Sequence, residues 1–106
     1  MKITVIITAY NRKDYILNAI NSVANQTLSK DLYEVVVVKN FEDKFVDERI
    51  RKLEFKNVVL DTPRYGEMVA AGIEESSGDI LALLDDDDEY KPEKLSAVSY
   101  THLRAH

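Results

Sequence analysis

Ile80-Leu81-Ala82-Leu83-Leu84-Asp85-Asp86-Asp87-Asp88 is the stretch from which the rest of the chain is read. Five apolar residues predict a buried strand, and four carboxylates stand at its carboxyl end. In an extended segment alternate side chains share a face, which sets Asp85 with Asp87 and Asp86 with Asp88. Two carboxylates about 4 Å apart repel by several kcal/mol, about 4 at an effective dielectric of about 20. Such crowding points to a divalent cation, for which hard oxygen ligands are the match. The alternative is a solvated acidic turn.

Outward from that strand, apolar runs alternate with segments of helical period, the pattern of a parallel α/β sheet. Ile3 to Thr8 is the first predicted strand. A helix from Asp14 to Asn25 follows, with Ile16, Ala19, Ile20 and Val23 on one stripe. Asn11 is its expected N-cap, with Asp14 in the capping-box position. In the second strand, Glu34 to Val38, four consecutive valines predict burial on both faces. Asp43 to Leu53 reads as a short charged helix with Val46, Ile50 and Leu53 inward. Val58 to Leu60 is the third strand, and Gly66 to Ser76 a helix with Met68, Ala71 and Ile73 or Glu74 on a rough face. Pro92 is expected at the first position of a further helix. Right-handed crossovers then give a four-strand sheet in the order 3-2-1-4 within a three-layer α/β domain.

At 106 residues the chain holds one domain at most. Its 45% hydrophobic and 31% charged content is ordinary for a globular protein. A net charge of −5 argues against broad nucleic-acid binding, which needs a basic face. The absence of cysteine excludes a disulfide framework and a thiolate zinc site, and fits a reducing compartment. No apolar stretch approaches the roughly 20 residues of a membrane span, and Met1 to Ile7 reads as a strand rather than a signal peptide. The default expectation is cytoplasmic. From about Ala97 the pattern changes, and the stretch to His106 resembles a translated adapter remnant at the end of a truncated gene. His102 and His106 are therefore given no catalytic role. The expected organisation is a functional part over residues 1–95 and an atypical tail over 96–106.

In an open parallel sheet, ligands bind beyond the carboxyl ends of the strands. Gathered there are Ala9, Tyr10, Asn11 and Arg12 after the first strand, and Lys39 and Asn40 after the second. Thr62-Pro63-Arg64-Tyr65 follows the third, and the aspartates follow the fourth. A ring, amides, cations and carboxylates suit a metal-complexed nucleoside diphosphate, with the base stacked, the ribose on a carboxylate and the pyrophosphate on metal and Arg or Lys. Each residue also has a plainer reading: Tyr10 packs on the first helix, Asn11 only caps it, Arg12 is solvated, and Arg64 offsets Asp61. Convergence on one edge favours the site.

Ile3 to Arg12, then Ala19 to Thr27, Glu34 to Val38, and Gly78-Asp79-Ile80 through Asp88 with Pro92 and Leu95 behind, together resemble family 2 glycosyltransferases. The likeness spans about residues 3 to 95. It implies a GT-A, Rossmann-like fold, truncated here, and transfer of a sugar from a nucleotide-sugar donor to an acceptor hydroxyl with Mn²⁺ or Mg²⁺. By that resemblance Asp87, five residues before Pro92, is the metal ligand. Asp85 or Asp86 serves the ribose and the metal's water shell, Asp85 also standing as a metal ligand. Thr8, Ala9, Tyr10, Asn11, Arg12, Lys39 and Arg64 line the donor. Lys39-Asn40 stands where the family usually carries an Asp pair, and Val69-Ala70-Ala71-Gly72 where Ala-Arg-Asn-x-Gly is common, which leaves the base open. No residue is nominated as general base, because the acceptor half is expected to lie outside this chain. The sugar and the saccharide, lipid or protein acceptor stay unassigned.

Two other classes compete. Haloacid-dehalogenase-type phosphatases also place Asp-x-Asp after an apolar strand, which Asp85 and Asp87 fit, although that motif normally opens its domain. A non-catalytic metal-nucleotide binding module is the second. An EF-hand fails because Tyr90 occupies the glycine position of a loop starting at Asp85, and no Gly-x-Gly-x-x-Gly follows any strand.

Overall fold

The computed structural model describes residues 2–105, with side chains to Thr101; His106 and the side chain of His102 lie outside the described residues. Strand β1 (Ile3–Ala9) is followed by α1 (Ile16–Ala24), a 3₁₀ turn at Lys30–Leu32, β2 (Tyr33–Lys39), α2 (Lys44–Lys52), β3 (Lys56–Val59), α3 (Tyr65–Glu74), β4 (Ile80–Asp85) and α4 (Lys94–Ala105). All pairings are parallel and the sheet order is β3-β2-β1-β4, as the crossover rule predicts. Ile3 lies beside Tyr33 and Ile80, and Thr8 beside Val38 and Asp85.

Period-2 alternation divides the central strands between two cores. Ile3, Val5, Ile7, Val35 and Val37 pack under α1, α2 and the start of α4, where Ile16, Ile20, Val46, Ile50 and Leu95 are buried. Ile6, Val36 and Val38 face the opposite side and meet Met68 of α3. The four valines are thus buried on both faces. Gly72 lets α3 lie directly on β1: a Cβ there would sit 2.7 Å from a methyl of Ile6.

Helix ends depart from expectation in instructive ways. Asp43 caps α2, its carboxylate accepting from the N–H groups of Phe45 and Val46. Asn11 does not cap α1, which begins only at Ile16 after Tyr15 and has no side-chain cap. Pro92 falls in the turn before α4 rather than at its first position. There its carbonyl accepts from Thr27 N–H, while buried Gln26 accepts from Leu95 N–H and donates to Lys91 O. Helix α4 runs unbroken across residue 96.

Two strands are also corrected. The third runs from Lys56 to Val59 rather than from Val58 to Leu60, because at the sheet edge Lys56 and Asn57 pair through backbone with β2 while their polar side chains bond at the surface, Lys56 to Glu75 O and Asn57 to Asp47. The fourth is not buried as expected: Leu81 and Leu83 are 43% and 47% exposed, and only Leu84 is buried. β4 is the other edge, and α3 packs over β2 and β1, so one face of β4 stays bare. Ile73 of α3 is likewise exposed.

Candidate donor-binding edge

The parallel register brings the ends of β1 and β4 together, with Thr8 Oγ1 donating to Asp85 Oδ1 at 3.4 Å. Beyond Asp85 the strand stops in a turn closed by Asp88 N–H to Asp85 O at 3.1 Å. The strand alternation therefore does not extend through the run. Asp85, Asp87 and Asp88 are exposed and bring carboxylate oxygens within 4.8 Å of one another. Asp86 is buried and turns to Arg12, which donates from Nε at 2.8 Å and from the terminal nitrogen at 3.3 Å. The expectation that Asp88 sides with Asp86 is corrected: Asp88 belongs with Asp85 and Asp87.

Arg12 also reaches Asp87 Oδ2 at 3.2 Å and lies over the Tyr15 ring, its guanidinium carbon 5.6 Å from the centroid. The hydrogen bond and charge of Asp86, reinforced by Asp87, raise its pKa above the ordinary arginine value. It is neither a free cation nor a plain solvated residue. It serves as a built-in counter-ion to half of the aspartate run.

Asn11 adopts φ 58°, the left-handed region that costs an ordinary L-residue about 1–2 kcal/mol and that asparagine tolerates better than most. Its N–H donates to Asn40 Oδ1 and its own Oδ1 accepts from Asn40 Nδ2, each at 2.7 Å. Beside this pair, Thr8, Ala9, Tyr10, Pro63, Tyr65, Met68, Asp85 and Asp86 enclose a cavity of about 150 Å³. That is below the roughly 300 Å³ at which small-molecule sites begin, and is room for a ring rather than a whole nucleotide. Pro63 and Tyr65 belong to the segment after β3 that the sequence gathers at this edge, whereas Met68, read there only as part of a helix face, is added to the wall by the structure. Larger clefts lie elsewhere, one of about 500 Å³ beside Leu83, Tyr90 and Lys94, where burial pushes the Tyr90 hydroxyl up to about 12 and it donates to Leu83 O. Size does not select the site; the convergence of rings and carboxylates does.

Lys39 does not join this edge. Its side chain is fully buried, with Nζ 2.7 Å from Asp47 Oδ1 and 2.9 Å from Asn57 Oδ1. Partial burial pushes the Asp47 carboxyl up, but Lys39 and Asn57 outweigh it and hold it below the usual carboxylate range. Breaking such a pair leaves an uncompensated buried charge, so Lys39 is fixed in place rather than available to a phosphate. Arg64 precedes α3 and is exposed, with its N–H donating to Thr62 Oγ1, and it does not line the cavity.

Known proteins share this fold. The crystal structure of Staphylococcus aureus TarS residues 1–349 in complex with UDP-GlcNAc superposes with a TM-score of 0.83 and 29% identity, over 94% of this chain and 30% of that one. A mannosyltransferase from Pyrobaculum calidifontis, solved with GDP-Man and Mn²⁺, shares the fold at a TM-score of 0.74 and 18% identity, over 90% of this chain and 30% of that chain. In sequence, glycosyltransferase AglE of Haloferax volcanii is 37% identical over 91 residues, covering 80% of this chain and 30% of its own. Protein CgeD of Bacillus subtilis is 33% identical over 107 residues, covering 90% and 25% respectively. The chain thus spans a third or less of the length of these relatives. Nothing in these comparisons supports the phosphatase alternative. The glycosyl transferase family 2 model matches residues 4–100, and the chain belongs to that family, with a fold of the GT-A type.

Proposed function

We propose that residues 1–95 are the donor-binding part of a glycosyltransferase that takes a nucleoside diphosphate sugar with Mn²⁺ or Mg²⁺. In the full-length protein the glycosyl group passes to an acceptor hydroxyl. The observation that carries this reading is the carboxylate triad Asp85, Asp87 and Asp88 at the end of β4, next to a cavity walled by Tyr10 and Tyr65. Three hard oxygen donors within 4.8 Å suit a divalent ion that keeps several waters. Asp87 and Asp85 are its proposed ligands, joined by Asp88. When bound, that ion offsets the charge of the leaving diphosphate.

The chain's own residues supply the rest. The rings of Tyr10 and Tyr65 offer a stacking slot for the base. Asp85, steadied by Thr8, accepts from a ribose hydroxyl, and the backbone of Ala9 shapes the slot. Asp86 acts through Arg12, holding the guanidinium beside the place where phosphates meet the metal. Asn11 shapes the loop, and Arg64 stands at the rim. Lys39 is left out of direct donor contact. TarS was solved with UDP-GlcNAc and with UDP, which makes UDP the first nucleotide to test. The proposed setting is cytoplasmic, with peripheral contact at a membrane in the full-length protein; no helix of the described residues is long and apolar enough to cross one.

Calorimetric titration of the chain with UDP, in Mn²⁺ and in EDTA, tests the reading. Binding is expected only with metal, and Asp87→Asn, which keeps shape and removes one charge, should weaken it by about tenfold, or about 1.4 kcal/mol. Binding indifferent to EDTA, or equal in wild type and variant, returns the aspartate run to the status of a solvated turn. Spanning a third or less of the length of the relatives above, this chain alone is expected to transfer no sugar to any acceptor.

A further inference from the structure

We propose that Asn40 is a positioning residue that locks Asn11 in its left-handed conformation and thereby pre-sets the Tyr10 ring for the nucleobase; this rests on the donor-site reading above. Asn11 is the pivot of the loop after β1. On one side of it Tyr10 walls the cavity, and on the other Arg12 returns to Asp86. At φ 58° the pivot holds a conformation that an unsupported asparagine only samples. Both of its bonds come from one side chain: Asn40 Oδ1 accepts from the Asn11 N–H while Asn40 Nδ2 donates to Asn11 Oδ1. A side chain that presents a donor and an acceptor in one plane can do this, and an amide is the neutral one of that length.

The clamp itself sits on a rigid base. Asn40 directly follows Lys39, which is fixed by Asp47 of α2 and Asn57 of β3. Arg12 has a separate anchor in Asp86, so the Asn11–Asn40 pair governs Tyr10, which is 44% exposed and whose hydroxyl makes no hydrogen bond among the described residues. Stacking on a ring already in place spares the ordering cost at the moment of binding.

Two measurements on the 106-residue chain test this, one of them without nucleotide. Asn40→Ala should speed hydrogen exchange at the Asn11 amide in the free protein by about tenfold, and should weaken UDP binding in Mn²⁺ by a similar factor, which corresponds to about 1.4 kcal/mol. Asn40→Asp should preserve both to within about threefold, because the Asn11 amide can flip and donate to the new carboxylate. In a Tyr10→Ala background, the Asn40→Ala effect on UDP affinity should fall below about twofold. Unchanged exchange in Asn40→Ala, no rescue by Asn40→Asp, or an undiminished effect without Tyr10 each overturns the positioning role. Wild-type protein that binds no UDP in Mn²⁺ overturns the donor-site reading itself, and the role of Tyr10 with it.

Discussion

The sheet carries acidic residues at both of its ends, and the two ends handle them in opposite ways. At the amino end Glu34 of β2 accepts from Thr4 Oγ1 at 2.7 Å, from the N–H of Ser77 and from Ser77 Oγ at 2.8 Å, with Lys56 3.8 Å and Lys2 4.0 Å away, while Asp79 accepts from the Lys2 N–H at 3.0 Å. Partial burial pushes the Glu34 carboxyl up, yet the donors, led by the Ser77 N–H, bring it down to about 2. At the carboxyl end one guanidinium serves only Asp86 and Asp87 of four carboxylates, and Asp85, Asp87 and Asp88 stand close together in solvent. Folding needs the first arrangement, which ties the α3–β4 turn to the sheet. It gains nothing from the second, whose mutual repulsion opposes folding, so the crowding of negative charge there speaks for a ligand.

The contrast is broken most forcefully at Gly78. Its N–H donates to Thr4 Oγ1 at 2.9 Å, and a Cβ there would lie 2.5 Å from that oxygen, 2.7 Å from Thr4 N and 2.8 Å from Lys2 O. Two of those three atoms are backbone, one in β1 and one just before it, and cannot step aside. Gly78→Ala should therefore cost about 3 kcal/mol of stability by denaturant melting, the upper end for overpacking. A loss below about 1 kcal/mol would mean that the amino end is looser than described.

Next in size is Glu34→Gln, which keeps the shape but removes the charge that three hydrogen-bond donors and two nearby lysines address. Hydrogen bonds to a charged group are worth about 1.5–3 kcal/mol, and a loss of about 2 kcal/mol near neutral pH is expected. The pH dependence has a definite sign. A carboxyl at about 2 in the folded state, against an ordinary value of 4.5, contributes stability that is complete above the ordinary value. That contribution disappears as pH falls from there toward about 2. Asp43, held low chiefly by the Val46 N–H and by Lys13, and Asp47 act in the same direction. Thermal melting should thus fall steeply on acidification in wild type and less steeply in Glu34→Gln. Parallel curves would assign the acid sensitivity to other groups.

These two ends also differ in how far the sequence discloses them. Strand order and both cores follow from local pattern: the valines of β2 and the stripe Ile16, Ala19, Ile20, Val23 are legible because burial repeats with the backbone period. The order placed β4 at an edge, but its bare second face was not legible, since an apolar run has the same appearance whether or not a helix covers that face. At the site, the identity of the aspartates was legible and their pairing was not. Alternation holds only while the chain stays extended, and it turns after Asp85. Lys39 looked available at a strand end because its partners, Asp47 and Asn57, come from two later elements. Asn11 satisfies the composition of an N-cap and of a left-handed turn alike, and only the long-range bond to Asn40 decides between them.

The smallest effect is the one that most sharpens the comparison, because its sign should change with conditions. Asp88 is exposed, and its N–H rather than its carboxylate closes the turn to Asp85 O. Asp88→Asn leaves that bond intact and relieves repulsion within the triad. In EDTA the variant should be slightly more stable than wild type, by about 0.5 kcal/mol, the scale of exposed charge effects. With Mn²⁺ the order should invert, since an ion that binds only the folded protein stabilises it in proportion to its affinity, and the variant has lost one of three candidate ligands. The same substitution at the amino end, Glu34→Gln, should destabilise in both conditions and be indifferent to metal. Melting curves of the two variants and wild type, each in EDTA and in Mn²⁺, make the distinction. If Asp88→Asn ranks the same way in both, Asp88 is outside the metal's reach and the site contracts to Asp85 and Asp87.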